Sequence, residues 1–177
     1  MMKNVVLIGF MGTGKTSTGR LLASRMGYSF VDTDRKIEKE CHLTIKQLFA
    51  EHGETYFREQ EAAVVRKVAR QHHLVISTGG GTILNPDNMK ALRKKGVIVS
   101  LTASVEVILE RTSRKNTRPL LENQTMDERR AAITKLRAQR EDLYKQADLI
   151  IDTSELSPLQ VVEQIMSFVR KEVKQRA

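Results

Sequence analysis

The chain has no tryptophan, one cysteine and three prolines in 177 residues. A lone Cys41 rules out an intrachain disulfide and fits a reducing compartment. With so few prolines and ten glycines, no Pro-, Gly- or Ser-rich linker divides the chain, and no repeat or low-complexity tract is present. Aromatic residues make up 5%, which supplies few of the stacking platforms that single-stranded nucleic acid needs. No apolar run approaches the length that crosses a bilayer. The first apolar run, Val5–Ile8, is too short for a signal peptide and has no small-residue cleavage site behind it, so no removed leader is expected.

What is present describes one compact globular domain. Hydrophobic residues make up 40% and charged residues 29%, enough to bury a core and stay in solution. The net charge of +9 admits two partner classes: nucleic acid, held through its phosphates, or small anionic substrates drawn by a positive field. The basic residues are scattered, with mild concentrations over 111–118, 129–140 and 170–176. Together with the scarcity of aromatics, this favours small anions, with neither nucleic acid nor membrane as partner. The cytoplasm is the expected location.

Short Val- and Ile-rich runs alternate with longer amphipathic stretches. The runs are Asn4–Ile8, Ser29–Val31, Leu74–Ser77, Val97–Leu101 and Leu149–Ile151, and each reads as a strand buried on both faces. Helix starts are marked by three capping boxes, Thr44 to Gln47, Thr125 to Glu128 and Ser157 to Gln160. Pro86 and Pro158 follow Asn85 and Ser157 at first-turn positions. Alternating β and α elements predict a parallel sheet with helices on both faces. Ligands of such sheets bind beyond the carboxyl ends of the strands.

The stretch Gly9-Phe-Met-Gly-Thr-Gly14-Lys15-Thr16 matches G-x-x-x-x-G-K-[ST] in full, after a strand and ahead of a helix running to about Met26. Glycines let backbone N–H groups close around phosphate oxygens, and the helix dipole favours an anion at its N-terminus. Gly12, Thr13, Gly14, Lys15, Thr16 and Ser17 are therefore the expected nucleotide-phosphate ligands. Lys15 is expected to reach the β- and γ-phosphates, and Thr16 to place its hydroxyl on Mg²⁺.

Asp32-Thr33-Asp34 closes the second strand. Alternate strand residues point the same way, so both carboxylates face the site if the strand continues. Asp32 is the candidate holder of hydrated Mg²⁺. Asp34 is the candidate for orienting and deprotonating an attacking hydroxyl, or else simply caps the following helix, Arg35–Cys41. The third strand ends in Thr78-Gly79-Gly80-Gly81, where many P-loop proteins carry a second metal-associated carboxylate. Three glycines there expose backbone and suit close approach to a ligand.

These landmarks, with Phe57-Arg58-Glu59-Gln60-Glu61, Arg118-Pro119-Leu120-Leu121 and Arg140 through Tyr144 to Asp148, resemble the shikimate kinase family over essentially the whole chain. The resemblance implies a three-layer P-loop kinase fold with a five-stranded parallel sheet in order 2-3-1-4-5. It implies one domain, 1–177, with a substrate-binding segment near 33–61 and a lid near 112–123. Shikimate and ATP are the implied substrates, Mg²⁺ the implied cofactor, and a monomer the expected state. Asp34 would bind shikimate hydroxyls, and Arg58 and Arg140 its carboxylate, with Gly79, Gly80 and Gly81 offering backbone contacts. Arg118 would reach the phosphates from the lid as a catalytic residue beside Asp34 and Lys15, and Arg111 would stack on adenine.

Physical chemistry agrees with that distribution. A guanidinium meets a carboxylate as a planar fork, and Glu61 at i+3 can hold Arg58. Phe49 and Phe57 would wall the ring of the substrate or form plain core. The family has a proline two residues after the arginine placed at Arg140, where this chain has Asp142, so Arg137 competes for that role. Two rival functions stay open at this level. One is another small-molecule P-loop kinase acting on gluconate or a nucleoside monophosphate. The other is an ATP-switched nucleic-acid-binding protein.

Overall fold

A computed structural model describes residues 3–113 and 125–175. Five strands form one parallel sheet in the order β2-β3-β1-β4-β5. They are β1 (Asn4–Ile8), β2 (Ser29–Asp32), β3 (Leu74–Ser77), β4 (Gly96–Thr102) and β5 (Leu149–Asp152). The helices are α1 (Lys15–Met26), α2 (Thr33–Cys41), α3 (Ile45–Ala69), α4 (Pro86–Lys95), α5 (Val105–Ser113), α6 (Met126–Tyr144) and α7 (Pro158–Gln175), with a 3₁₀ turn at Thr82–Leu84.

β1 is buried along its full length, and its alternation supplies two cores. Val5 and Leu7 pack with Leu22 of α1 and Val161, Val162 and Ile165 of α7. Val6 and Ile8 pack on the other face, with Val64 and Val65 of α3, Leu92 of α4 and Ile108 of α5. Successive strand residues point to opposite faces, so one five-residue run serves as the floor of both layers. The buried Asn4 side chain ties the lower end of the sheet together. It accepts from the Leu74 amide at 3.0 Å and donates to the Gln71 carbonyl at 2.9 Å.

All three capping boxes form. Gln47 N–H donates to Thr44 Oγ1 and Thr44 N–H to Gln47 Oε1. Thr125 with Glu128, and Ser157 with Gln160, make the same exchange.

Three expectations need correction. The strands are not all buried on both faces: β2 and β5 are the sheet edges, their residues are mostly half-buried or exposed, and Ile150 is 46% exposed. Asp34 does not continue β2, because the helix begins at Thr33 and places Asp34 in its first turn. The residue that caps α2 is Asp32, whose Oδ1 accepts from the Arg35 amide at 3.3 Å.

α3 departs from a single straight helix at Gly53, where φ is 80° and ψ is 175°. The stretch bearing Phe49 and the stretch bearing Phe57 and Arg58 therefore meet at an angle. Their rings pack with centroids 4.7 Å apart.

Candidate active site

The site is built around the turns that leave the carboxyl ends of β1, β2 and β3, with further groups from α5, α6 and the residue after β5. Gly9 leaves β1 at φ 144°, and a Cβ there would collide with the Leu101 carbonyl of β4. Gly12 and Gly14 also have positive φ, 77° and 91°, and Gly14 caps α1 without a side-chain partner. The loop is braced from within. Thr13 Oγ1 donates to the Phe10 carbonyl at 2.8 Å, and Ser17 Oγ to the Gly14 carbonyl at 3.0 Å. Lys15 Nζ donates to the Gly9 and Phe10 carbonyls at 2.7 and 2.8 Å. The ammonium thus stands inside the loop, at the mouth of the helix that would receive an anion.

Thr16 and Asp32 come together as their motifs suggest: Thr16 Oγ1 donates to Asp32 Oδ2 at 3.0 Å. A hydroxyl and a carboxylate side by side, both hard oxygen donors, fit Mg²⁺, which takes few protein ligands and keeps several waters. Among the described residues no cluster of three or more His, Cys, Asp or Glu is placed to hold a metal.

The glycine turn after β3 is the centre of the second half. Each glycine faces a different functional group. A Cβ on Gly79 would stand 2.5 Å from Asp34 Oδ1 and 3.2 Å from Glu61 Oε1. One on Gly80 would lie 3.7 Å from both the Gly9 carbonyl oxygen and the Met11 amide nitrogen of the phosphate loop. One on Gly81 would strike the Arg58 guanidinium. Thr33 Oγ1, buried at the start of α2, accepts the Gly79 amide at 3.1 Å.

Arg58 is held by two carboxylates of unlike surroundings. Nη1 donates to Glu61 Oε2 at 2.9 Å and Nη2 to Glu54 Oε1 at 3.1 Å. The Glu61 side chain is 1% exposed and that of Glu54 65%. Burial alone would depress the arginine pKa. The bonds and charges of Glu61 and Glu54 together outweigh burial and leave it raised, so the guanidinium keeps its charge although half-buried.

Arg140 is buried on α6. Its Nη1 donates to the Gly80 carbonyl at 3.2 Å, and its guanidinium carbon lies 5.9 Å from the centre of the Phe10 ring. One turn on, the Tyr144 hydroxyl donates to the same Gly80 oxygen at 3.0 Å. Arg137 lies three residues before Arg140 on α6, and its charge, like that of Arg140, opposes the rise that burial gives the Tyr144 pKa. The Arg137 charge, with that of Arg111, also reinforces the hydrogen bonds from Ser154 that hold the Asp152 carboxyl below the usual range. Asp142, which replaces the expected proline, is exposed and lets α6 run on to Tyr144.

Arg111 lies at the edge of the phosphate loop. Its Nη1 reaches Thr153 Oγ1 and the Gly12 carbonyl at 3.1 and 3.3 Å, and Nη2 the Thr153 carbonyl at 2.9 Å. Thr153 Oγ1 also lies 3.0 Å from the Thr13 carbonyl. The catalytic role expected of Arg118 falls outside the described residues. Tyr144, Thr82 and Thr153 join the site although composition and spacing assign them no task. Their partners are distant in sequence, and only Tyr144 stood within a recognised motif.

The arrangement brings a phosphate loop with its lysine, a hydroxyl–carboxylate pair, and a cup with one carboxylate and two arginines to one end of the sheet. Chemically it suits transfer of a phosphoryl group to a hydroxyl of a small acid. A family model described as "Shikimate kinase" matches residues 11–170. A shikimate kinase of Pelotomaculum thermopropionicum is 48% identical over 96% of this chain and 97% of its own length. One of Caldicellulosiruptor saccharolyticus is 49% identical over 94% and 95%. The structure titled as a shikimate kinase from Acinetobacter baumannii in complex with shikimate superposes with a TM-score of 0.91. It is 33% identical, covering 97% of this chain and 95% of that one.

Proposed function

Since the chain belongs to the shikimate kinase family, its activity is ATP-dependent phosphorylation of shikimate at the 3-hydroxyl, on the way to chorismate, and we propose how its residues divide that work. The ATP phosphates lie along Gly12–Ser17 at the head of α1. Lys15 pivots on its four-carbon stem from the Gly9 and Phe10 carbonyls to the β- and γ-phosphate oxygens. Thr16 and Asp32 would hold Mg²⁺, which would neutralise charge on those oxygens when bound. Arg111, bonded in its plane to Thr153 and Gly12, leaves a guanidinium face for adenine.

Shikimate lies between Asp34, the glycine turn and the two arginines. Arg58 and Arg140 bind its carboxylate, and Gly79, Gly80 and Gly81 approach it with bare backbone. Asp34 accepts the proton of the 3-hydroxyl as that oxygen forms its bond to the γ-phosphorus. The bond from the γ-phosphorus to the β–γ bridging oxygen breaks, and ADP leaves with the electron pair. Lys15 balances charge on the transferring oxygens. By family resemblance Arg118 joins it from a lid near 112–123, and residues near 33–61 form the acceptor segment. The single 1–177 domain works as a cytoplasmic monomer on two anionic substrates, with no nucleic-acid or membrane partner. Its net charge of +9 suits such substrates. Among the described residues no helix is long and apolar enough to cross a membrane.

The observation that carries this reading is the glycine turn, flanked by the phosphate loop at Gly80 and by guanidinium groups at Gly80 and Gly81. Calorimetric titration of shikimate, with and without ADP and magnesium, tests it alongside ADP release with shikimate, gluconate and nucleoside monophosphates. Binding and turnover should require shikimate. Turnover with gluconate or a nucleotide instead would end the reading.

A further inference from the structure

We propose that Thr82 is a positioning residue for the acceptor: its hydroxyl fixes the Glu61 carboxylate, which in turn holds Arg58 against the glycine turn. Thr82 is the first residue after Gly81 and is fully buried, at 0% exposure. Its Oγ1 donates to Glu61 Oε1 at 2.6 Å, while Glu61 Oε2 accepts from Arg58 Nη1 at 2.9 Å. The two oxygens of one buried carboxylate are thus given to two different partners.

The terminal torsion of glutamate is broad and sets no carboxylate plane by itself. A carboxylate held at one oxygen can turn about its last bond, whereas one held at both cannot. Thr82 supplies the second point. It is itself anchored, because its amide donates to the Gly79 carbonyl at 3.2 Å and closes the turn. The hydroxyl therefore ties α3, which carries Arg58, to the backbone that the substrate approaches.

A competitor makes this tie matter. Glu54, largely in solvent, holds Arg58 from the other side at 3.1 Å. Loosening Glu61 leaves Arg58 to this outer partner and draws the guanidinium away from Gly81. Removing the hydroxyl also strands a buried carboxylate oxygen, which is costly. The inference rests on the reading that Arg58 binds the shikimate carboxylate.

The test is steady-state kinetics, with both substrates varied, on Thr82→Val, Thr82→Ala and Thr82→Ser, with Arg58→Ala alongside. Thr82→Val should raise KM for shikimate by about three- to tenfold, the net scale of one ordinary hydrogen bond, because the effect reaches the substrate only through Arg58. KM for ATP and kcat should change little, and Thr82→Ser should restore KM for shikimate. A folded Thr82→Val with unchanged KM for shikimate overturns the proposal. So does Thr82→Ser behaving like valine, or KM rising equally for both substrates. Should Thr82→Val not fold, Thr82→Ala against Thr82→Ser makes the same comparison. If Arg58→Ala leaves KM for shikimate unchanged, the reading of Arg58 fails and the proposal with it. If Arg58→Ala raises it and Thr82→Val does not, only the role of Thr82 fails.

Discussion

The guanidinium of Arg58 occupies the space where a side chain on Gly81 would begin, with Nη1 2.6 Å from the ideal Cβ position. Two residues earlier, Asp34 Oδ1 stands 2.5 Å from the ideal Cβ of Gly79. Neither glycine has a positive φ, so alanine meets no torsional barrier at either place and acts by displacement alone. Gly81→Ala should raise KM for shikimate about ten- to a hundredfold through misplacement of Arg58, with KM for ATP preserved. Gly79→Ala should displace Asp34 and lower kcat by about a hundredfold. Kinetics with both substrates varied checks the split. Identical profiles for the two variants would contradict it.

Lys15 braces the loop through two carbonyls, yet Thr13 and Ser17 brace it too. Lys15→Ala should therefore lower kcat by about a hundredfold or more while the chain remains folded. Circular dichroism and thermal melting, set beside the turnover, measure the two effects separately.

Asp32 has two tasks that substitution can separate. Its Oδ2 pairs with Thr16, and its Oδ1 caps α2. Asparagine caps a helix about as well as aspartate, whereas alanine costs about 1 kcal/mol at a cap. Asp32→Asn should shift the magnesium dependence of turnover to higher concentration with little loss of stability. Asp32→Ala should shift the magnesium dependence and also lose about 1 kcal/mol of stability. Magnesium titrations and urea unfolding of the two variants decide.

The acceptor cup was only partly legible in the sequence. Continuous apolar runs located the strands, and paired capping residues located the helix starts, because both signals are local. Edge position is not local: β5 (Leu149–Asp152) reads nearly as apolar as β1 in sequence, and sheet order decides which strands are covered. At Asp32-Thr33-Asp34 a strand end and a helix cap overlap, and the cap prevails because Asp32 satisfies the Arg35 amide. The bonds from Thr82 to Glu61 and from Tyr144 to Gly80 join residues 21 and 64 apart, and no periodicity reports such pairs. The choice between Arg137 and Arg140 was likewise out of reach of the sequence: the two stand three residues apart on α6, and only coordinates show that Arg140 reaches the Gly80 carbonyl.

That placement gives a prediction of its own. Arg140→Ala should weaken shikimate binding by about ten- to a hundredfold, as expected for a buried charged hydrogen-bonding group. Arg137→Ala should leave it within about threefold. Calorimetry with shikimate distinguishes them, and the reverse order would reassign the carboxylate partner.

Tyr144 gives a pH prediction. Burial raises its pKa above the ordinary tyrosine value, and the Arg140 charge and hydrogen bond oppose that rise without cancelling it. The folded value is above the unfolded one, so the contribution to stability is complete below about pH 10 and is lost as pH rises through the folded value. Urea unfolding between about pH 8 and 11 should show the stability of the unsubstituted chain falling more steeply at the alkaline end than that of Tyr144→Phe. Parallel curves would refute it.

The sheet order puts the strand that feeds the phosphate loop third of five and the strand that feeds Asp32 and Asp34 at the margin. Chemistry common to every ATP-driven transfer is rooted where the protein is least able to change. The groups placed around the acceptor are divided: Asp34 hangs from that border, whereas Glu61, Thr82 and Arg140 are buried. A laboratory wishing to redirect this catalyst to another hydroxy acid would therefore begin at that border, where exchange disturbs the interior least, before touching the buried groups.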